Sequence, residues 1–176
     1  ADEMASNDAW GLEVGSRLGL TDYGFYGYAL ICSPTLRKAL EFSIKYHQLA
    51  TPTVMMSLEP DAGDGVAHFG VEDTLLVPAI YRFNILLQFG LVYSLFRDML
   101  GPDFRFVYAQ MRFGPGNMPE RISDLLQCPV RYDRDRNIVA FDQDLLDAPL
   151  RRANMATWQA TRQICDDLLE KITSVT

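Results

Sequence analysis

The sequence predicts one α+β domain in which a small mixed or antiparallel sheet packs against long amphipathic helices. Two periodicities predict this class: apolar residues recur every three to four positions in some segments, as in helices, and every second position in others, as in strands. The chain has 176 residues, of which 48% are hydrophobic and 22% charged, the balance of a soluble globular protein. No repeat or low-complexity linker divides it, so residues 1–176 are predicted to form a single domain.

The first part of the chain carries one strong helix signal. The opening segment Trp10–Tyr28 mixes glycines with aromatic residues, which predicts a short helix and then a tight, glycine-rich approach to the body. Ser33 is a favoured N-cap residue, and Pro34 suits the first turn of a helix because a missing N–H costs nothing there. A helix is therefore predicted from about Pro34 to Gln48, with one apolar face and one charged face.

The middle of the chain predicts a hairpin followed by a long helix. Alternating apolar residues in Val54–Leu58 and Val66–Val71 flank a turn, which is typical of a β-hairpin. Pro78 opens a helix that Gly101 ends near Leu100. Apolar residues surround this helix almost completely, so it must be covered by sheet, by a second subunit or by a bound small molecule. Its polar residues would be costly in lipid, which predicts a core helix and no membrane contact.

The last part predicts one strand, a short helix, two more strands and a closing helix. The strand contains Phe104, Phe106 and Tyr108, and the short helix runs from Met118 to Gln127. The two strands, Val130–Tyr132 and Ile138–Phe141, are predicted to form a hairpin around the charged turn between them. A final helix spans Pro149–Ile172. The predicted order is α-β-β-α-β-α-β-β-α, which is not that of a cupin barrel.

Composition and motifs argue against catalysis and against direct binding to nucleic acid. The chain has 23 acidic and 16 basic side chains, and a net charge of -7 repels phosphate backbones. No nucleophile motif or phosphate-binding loop occurs, and neither His47 nor His68 has a neighbour at metal-ligand spacing. Three cysteines without CxxC spacing and the lack of a secretory signal fit a cytoplasmic protein. We therefore predict no enzyme, no cofactor and no metal site.

Aromatic residues concentrate in two segments that are candidates for a ligand site. Small-molecule pockets are largely apolar with a few polar groups that fix orientation, and an arginine in a buried helix would suit a carboxylate. The alternative is that these aromatic residues belong to the core and that the arginine reaches a surface acid. The predicted effector-binding residues are Tyr23, Tyr26, Tyr28, Tyr81, Arg82, Phe83 and Gln88.

Several ordered motifs resemble one large group of AraC-type bacterial transcription regulators. Residues 24–40 match the pattern GxxGYAxxxSPTLxxAL of their N-terminal domain. The segments around Trp10, Cys128–Tyr132, Asn137–Asp142 and Leu146–Leu150 resemble further family motifs in the same order. Together these matches cover most of residues 10–150. The domain is often called arabinose-binding, but the arabinose sensor is a cupin-like barrel, so sugar binding is not expected here.

The resemblance implies a domain that senses a small organic effector and dimerises. In such regulators a C-terminal helix-turn-helix unit follows, so DNA and RNA polymerase are expected partners only through a full-length protein. A homodimer is predicted, with Trp158, Ile164, Leu168 and Ile172 of the last helix as its interface. Two alternatives remain: a pure oligomerisation module without ligand, and a haem or gas sensor that uses His47 or His68 as axial ligand.

Overall fold

The computed structural model describes residues 8–174, and the N-terminal part of this range is helical. Helix α1 spans Trp10–Gly15, α2 spans Gly24–Cys32 and α3 spans Leu36–Tyr46, with 3-10 turns before α2 and after α3. The predicted glycine-rich approach after α1 is wrong, because Leu20–Tyr23 forms a 3-10 turn and residues 24–28 begin α2. Gly27 allows α2 to pack closely on the preceding 3-10 turn, because a Cβ at this position would overlap the carbonyl oxygen of Leu20.

Helix α3 begins two residues later than predicted. The hydroxyl of Thr35 accepts a hydrogen bond from the backbone N–H of Lys38 at 3.3 Å, so Thr35 is the N-cap. Ser33 instead donates to the carbonyl of Ala29 at 2.7 Å, inside the last turn of α2. Both ends of this short connection are thus held by a side-chain hydroxyl.

The strands form one open sheet of five strands in the order β1-β2-β5-β3-β4. Strands β3 and β4 pair in parallel and the other neighbours are antiparallel, so the sheet is mixed. The α+β class is confirmed, and an open sheet is not a cupin barrel. The hairpin of β1 and β2 is also confirmed. The strands are β1 Val54–Glu59, β2 Val66–Asp73, β3 Tyr108–Gln110, β4 Val130–Arg131 and β5 Ile138–Asp142.

The predicted hairpin between the fourth and fifth strands is wrong. Strand β3 lies between them, with Ala109 opposite Val139 on β5 and opposite Val130 on β4. Strand β3 is also shorter than predicted, because Phe104 and Phe106 precede it in a loop. Both rings pack within 5.3 Å, centroid to centroid, of the Phe96 ring. Their alternation therefore reflects packing onto a helix.

Helix α4, Pro78–Leu100, is the core helix, with the bounds predicted from sequence. Glycines on both helices allow α1 to pack closely against α4. A Cβ at Gly15 would overlap the carbonyl oxygen of Leu87, and a Cβ at Gly90 would overlap the carbonyl oxygen of Leu12. By length and composition α4 is the one helix within residues 8–174 that could cross a membrane, but 56% of its most apolar window is buried inside the fold. We describe it as the buried core helix of this domain.

The remaining helices are α5, Pro119–Leu126, and α6, Met155–Thr173. Helix α6 begins six residues later than predicted, where the side chain of Asn154 accepts a hydrogen bond from the N–H of Thr157 at 3.0 Å. Its inner face, which includes Thr161 and Cys165, packs on α2. The element order is α1-α2-α3-β1-β2-α4-β3-α5-β4-β5-α6, so α1 and α2 precede the predicted order.

Candidate functional site

A small apolar cavity lies inside the fold where α2, α3, the sheet and the C-terminal half of α4 meet. Its volume is about 30 Å³, enough for one group the size of a water molecule. Two predicted effector residues, Tyr23 and Tyr26, line it. The other lining residues are Leu30, Ala39, Leu40, Ser43, Thr51, Met56, Phe69, Leu91, Val92, Leu95, Phe96 and Met99.

Tyr26 is one of the aromatic residues that line this cavity. Its ring lies 5.6 Å from the Phe42 ring and 6.3 Å from the Tyr23 ring, centroid to centroid. Burial raises the pKa of the Tyr26 hydroxyl, so this group stays neutral at physiological pH. Ser43, which also lines the cavity, donates its hydroxyl to the Leu40 carbonyl at 2.8 Å. Tyr26 therefore presents a fixed, uncharged wall.

Gln88 contributes a polar atom on the same side of α4. The residue is 4% exposed, and its Oε1 atom has no hydrogen-bond partner among residues 8–174. Gln88 precedes Val92 by four positions, so the two share one face of the helix, and Val92 lines the cavity. An unpaired buried carbonyl oxygen costs about 1–3 kcal/mol. A ligand with an N–H or O–H group could remove this cost.

Three other predicted effector residues lie near the start of α4, away from the cavity. Arg82 lies nine positions before Leu91, the first residue of α4 that lines the cavity, or about 14 Å along the helix axis. The Tyr81 hydroxyl accepts a hydrogen bond from Asn137 at 2.9 Å. Phe83 is 42% exposed. Tyr28, although it belongs to α2, is 52% exposed and does not line the cavity. The structure thus brings Tyr23 and Tyr26 together, with Gln88 one turn away.

Arg82 holds a loop. Its two terminal nitrogens donate to the carbonyl oxygens of Gly114 and Pro115 at 2.7 and 3.0 Å. The guanidinium carbon lies 4.5 Å from the centre of the Phe113 ring. Nη2 of Arg82 lies 3.9 Å from a carboxylate oxygen of Asp8. These contacts occupy both terminal nitrogens of Arg82.

A wide groove, which sequence reasoning missed, lies on the other side of the C-terminal half of α4. Its volume is about 790 Å³, and three arginines, Arg97, Arg151 and Arg152, line it. Arg97 interrupts an apolar helix, and the other two are adjacent in a loop more than 50 residues further on. The only available sequence signal was that Arg97 has no acidic residue three or four positions away along α4.

The predicted interface residues on α6 occupy two different environments. Trp158 is 9% exposed, and the guanidinium carbon of Arg162 lies 5.0 Å from the centre of its ring. Ile164 is half-buried. Leu168 and Ile172 are 40% and 47% exposed, and together with Leu49 they line a shallow apolar depression. Only the C-terminal end of the predicted face is therefore open to a partner.

Both histidines are hydrogen-bonded within the fold. Nδ1 of His47 lies 2.9 Å from the carbonyl oxygen of Ile44, and Nε2 of His68 lies 2.8 Å from the Tyr108 hydroxyl. Burial lowers the pKa of His68. Across residues 8–174, no three His, Cys, Asp or Glu side chains form a group that could hold a metal ion.

The fold is an open mixed sheet packed against helices. It is similar to the crystal structure of the transcriptional regulator CdpR from Pseudomonas aeruginosa, with a TM-score of 0.75 and 21% sequence identity. The match covers 88% of this chain and 50% of that one.

The chain belongs to the family described as the N-terminal arabinose-binding domain of AraC transcription regulators, whose model matches residues 1–150. It is 25% identical over 169 residues to the ornithine utilization regulator of Pseudomonas aeruginosa, covering 96% of this chain and 49% of that protein. It is 27% identical over 166 residues to an uncharacterised HTH-type transcriptional regulator of Mycobacterium tuberculosis, covering 92% and 47%. The chain thus spans about half the length of these relatives, which are transcription regulators and not enzymes.

Proposed function

We propose that this domain senses a small organic effector, which binds at the cavity between α2 and the C-terminal half of α4. The observation that carries the proposal is the buried, unpaired Oε1 atom of Gln88 one turn from a cavity lined by Tyr23 and Tyr26. An apolar gap with one unsatisfied acceptor favours a compact ligand that has an apolar body and an N–H or O–H donor. A small metabolite with an apolar body and one neutral polar head fits this description, because no cation is among the described residues that line the cavity and could pair with a carboxylate.

Effector binding requires the cavity to open. A volume of about 30 Å³ holds one water-sized group, so α2 must move away from α4 to admit a metabolite. Helix α2 begins at Gly24, whose φ of 53° lies in a region that glycine adopts at low cost. A hinge at Gly24 would let α2 tilt as a unit.

Helix α6 would carry the change outward. It packs along α2, and its Cys165 lies close enough to Tyr26 to raise the pKa of that hydroxyl. A movement of Tyr26 would therefore push on α6. Because packed helices shift between discrete arrangements, a small displacement at the cavity could bias the position of α6. In a full-length regulator, this would control an attached DNA-binding unit.

A thermal-shift screen of a metabolite panel tests the sensing role. The panel includes ornithine, because one relative is named an ornithine utilization regulator. A ligand at a hundredfold excess over its dissociation constant stabilises by about 2.7 kcal/mol, which corresponds to roughly 5–11 °C for a domain of this size. Any hit is then titrated against Gln88→Met and Tyr26→Phe, with Tyr28→Phe as the matched, exposed control.

The expected result is a loss of affinity in the two cavity variants and none in Tyr28→Phe. A true effector that binds all three variants as tightly as the wild type would contradict the location of the site. A panel without any hit would favour the pure oligomerisation module. A Soret absorbance band in the purified protein would favour the haem sensor, for which His47 and His68 would each have to give up a hydrogen bond.

We also propose that the domain forms a homodimer through the exposed end of α6. The supporting observation is the apolar depression formed by Leu168, Ile172 and Leu49. A second exposed apolar segment lies at the start of α4, where Leu76 is 83% exposed. Sedimentation of Leu168→Asp and Leu76→Asp separates the two surfaces. Leu76 has a φ of 53°, which Asp tolerates better than Leu, so that control variant should fold.

The α6 interface predicts that Leu168→Asp is monomeric and that Leu76→Asp remains dimeric. The reverse result would move the interface to the start of α4, and a wild type that is monomeric at micromolar concentration would refute the dimer.

We further propose that contacts with DNA and RNA polymerase belong to a full-length cytoplasmic protein. A net charge of -7 disfavours duplex binding by this chain alone, and a mobility-shift titration at physiological salt tests this.

A further inference from the structure

We propose that the groove on the outer side of α4 is a second ligand site, which binds a small organic polyanion with carboxylate or phosphate groups. We call it the arginine groove. It is formed by the C-terminal half of α4, the residue after α1, the end of α5 and the segment that leads into α6. Its charged lining residues are Arg97, Asp98, Arg151 and Arg152. This site goes beyond the effector cavity and lies on a different face of the same helix.

Within the described part of the chain, the guanidinium groups of the three groove arginines have no ion-pair partner. Among residues 8–174, no hydrogen bond or ion pair involves the guanidinium groups of Arg97, Arg151 or Arg152. Arg37, Arg121 and three other arginines pair with carboxylates, whereas Arg17 and Arg134 on other surfaces also lack such a partner among the described residues. The groove differs in that three such arginines line one concave surface. The chain has more acidic than basic side chains, so it could easily have supplied partners here. Three unpaired arginines around one concave surface are what an anionic ligand requires.

The local electrostatic balance favours an anion with more than one charge. Asp98 is the only acidic side chain among the described lining residues, and it already accepts a hydrogen bond from the N–H of Leu20 at 3.1 Å. The C-terminal end of α4 adds a partial charge of about -0.5. Three guanidinium groups against Asp98 and this helix end leave about +1.5. One arginine would be enough to neutralise the partial charge at the C-terminal end of α4. That role therefore does not explain the presence of three arginines.

The shape of the groove also suits a small molecule. A volume of about 790 Å³ lies within the range of small-molecule sites. The guanidinium carbon of Arg97 lies 5.5 Å from the centre of the Tyr93 ring, and the Tyr93 hydroxyl donates to Gln127 at 3.0 Å, which fixes this platform. Pro102 and Leu125 offer apolar surface for a carbon skeleton. Arginine forks on either side could bind carboxylate or phosphate oxygens in pairs.

The groove connects the end of α4 to the start of α6. Arg151 and Arg152 precede Asn154, which caps α6. A Cβ at Gly101 would lie 3.4 Å from Nη1 of Arg151, so this guanidinium already sits beside the last turn of α4. A polyanion held by Arg97 and the Arg151–Arg152 pair would tie the lead-in segment of α6 to α4. A polyanion in the groove would therefore act on α6, as an effector in the cavity would, but from the opposite side of α4.

Isothermal titration of the domain with citrate and with inorganic pyrophosphate tests the proposal, at constant ionic strength. Saturable binding of either probe is expected, and the tighter of the two distinguishes a carboxylate site from a phosphate site. Arg97→Gln and Arg151→Gln should each weaken binding about tenfold, the effect of losing one charge-assisted hydrogen bond. The matched control is Arg134→Gln, which removes the same charge from an exposed arginine elsewhere and should change nothing.

Two results would overturn the proposal. One is the absence of saturable binding of both probes at millimolar concentration. The other is an equal loss in Arg134→Gln, which would indicate attraction by overall charge. Gln88→Met should keep full polyanion affinity, because it alters only the cavity side of α4, and a loss there would contradict two separate sites. Polyanion binding without any hit in the metabolite panel would support the groove while contradicting the effector cavity.

Discussion

Removal of the Arg82 guanidinium should destabilise the domain and leave effector binding unchanged. Arg82→Met keeps the apolar stem but removes two hydrogen bonds to loop carbonyls and the contact with the Phe113 ring. The Arg82 side chain is 26% exposed, so water can replace part of these bonds, and each contributes about 1 kcal/mol. The ring contact adds about 0.5–1 kcal/mol. The expected loss is about 2–3 kcal/mol in the free energy of unfolding.

Thermal unfolding followed by circular dichroism measures this loss. For a domain of this size, 2–3 kcal/mol corresponds to roughly 4–12 °C in Tm. The same variant is titrated with any effector found in the metabolite panel. An unchanged Tm combined with a large loss of effector affinity would refute this reasoning, because Arg82 would then be the carboxylate clamp that the sequence first suggested.

Three further predictions concern packing, thiol reactivity and pH. Gly90→Ala should lower the free energy of unfolding by about 1–2 kcal/mol in urea titrations, because overpacking against α1 outweighs the better helix propensity. Cys128 should resist a thiol reagent at pH 8 until the domain unfolds, because burial raises its pKa to about 11, whereas the more exposed Cys32 reacts first. Lys45 lowers the pKa of Asp166, so Asp166→Asn should destabilise by less than about 1 kcal/mol at pH 7.

Each of these has its own control. Gly114→Ala should be tolerated, because the nearest atom to its Cβ, in Asp133, would lie at an ordinary 3.5 Å. Fast labelling of Cys128 in the native state would contradict its burial. The stability contributed by Asp166 is present above its unfolded pKa and is lost as the pH falls through its lower folded pKa. The difference between Asp166→Asn and wild type should therefore shrink below about pH 4, and a constant difference would contradict the ion pair.

The sequence predicted the elements whose ends carry residues with special backbone preferences, such as proline and glycine. Pro78 fits a first helical turn and Gly101 fits a helix end, so the bounds of α4 could be predicted from sequence. The hairpin of β1 and β2 followed from alternation around a turn. Helix α2 was missed, because glycine is a poor helix former by propensity alone. Gly27 serves close packing against Leu20 instead, and Gly24 supplies a positive φ where the helix begins, and neither role shows in helix propensity.

Strand partners and side-chain directions could not be predicted in the same way. Alternation shows that β4 and β5 are strands but does not show that β3 separates them. The aromatic residues around Tyr26 indicated a wall of the cavity, whereas Tyr28, two positions further on, points to solvent. Arg82 was expected beside these residues, but helix periodicity does not reveal which loop packs on a face. The arginine groove combines residues more than 50 positions apart, and no local pattern connects them.

Amide hydrogen exchange, measured with and without an effector from the metabolite panel, tests the central claim most directly. The claim is that a ligand at the cavity acts on α2 and, through it, on α6. It predicts changed exchange in Gly24–Cys32 and in Met155–Thr173 together, with little change in Pro119–Leu126. A change confined to the start of α4 and the loop that Arg82 holds, with α2 and α6 unaffected, would contradict it.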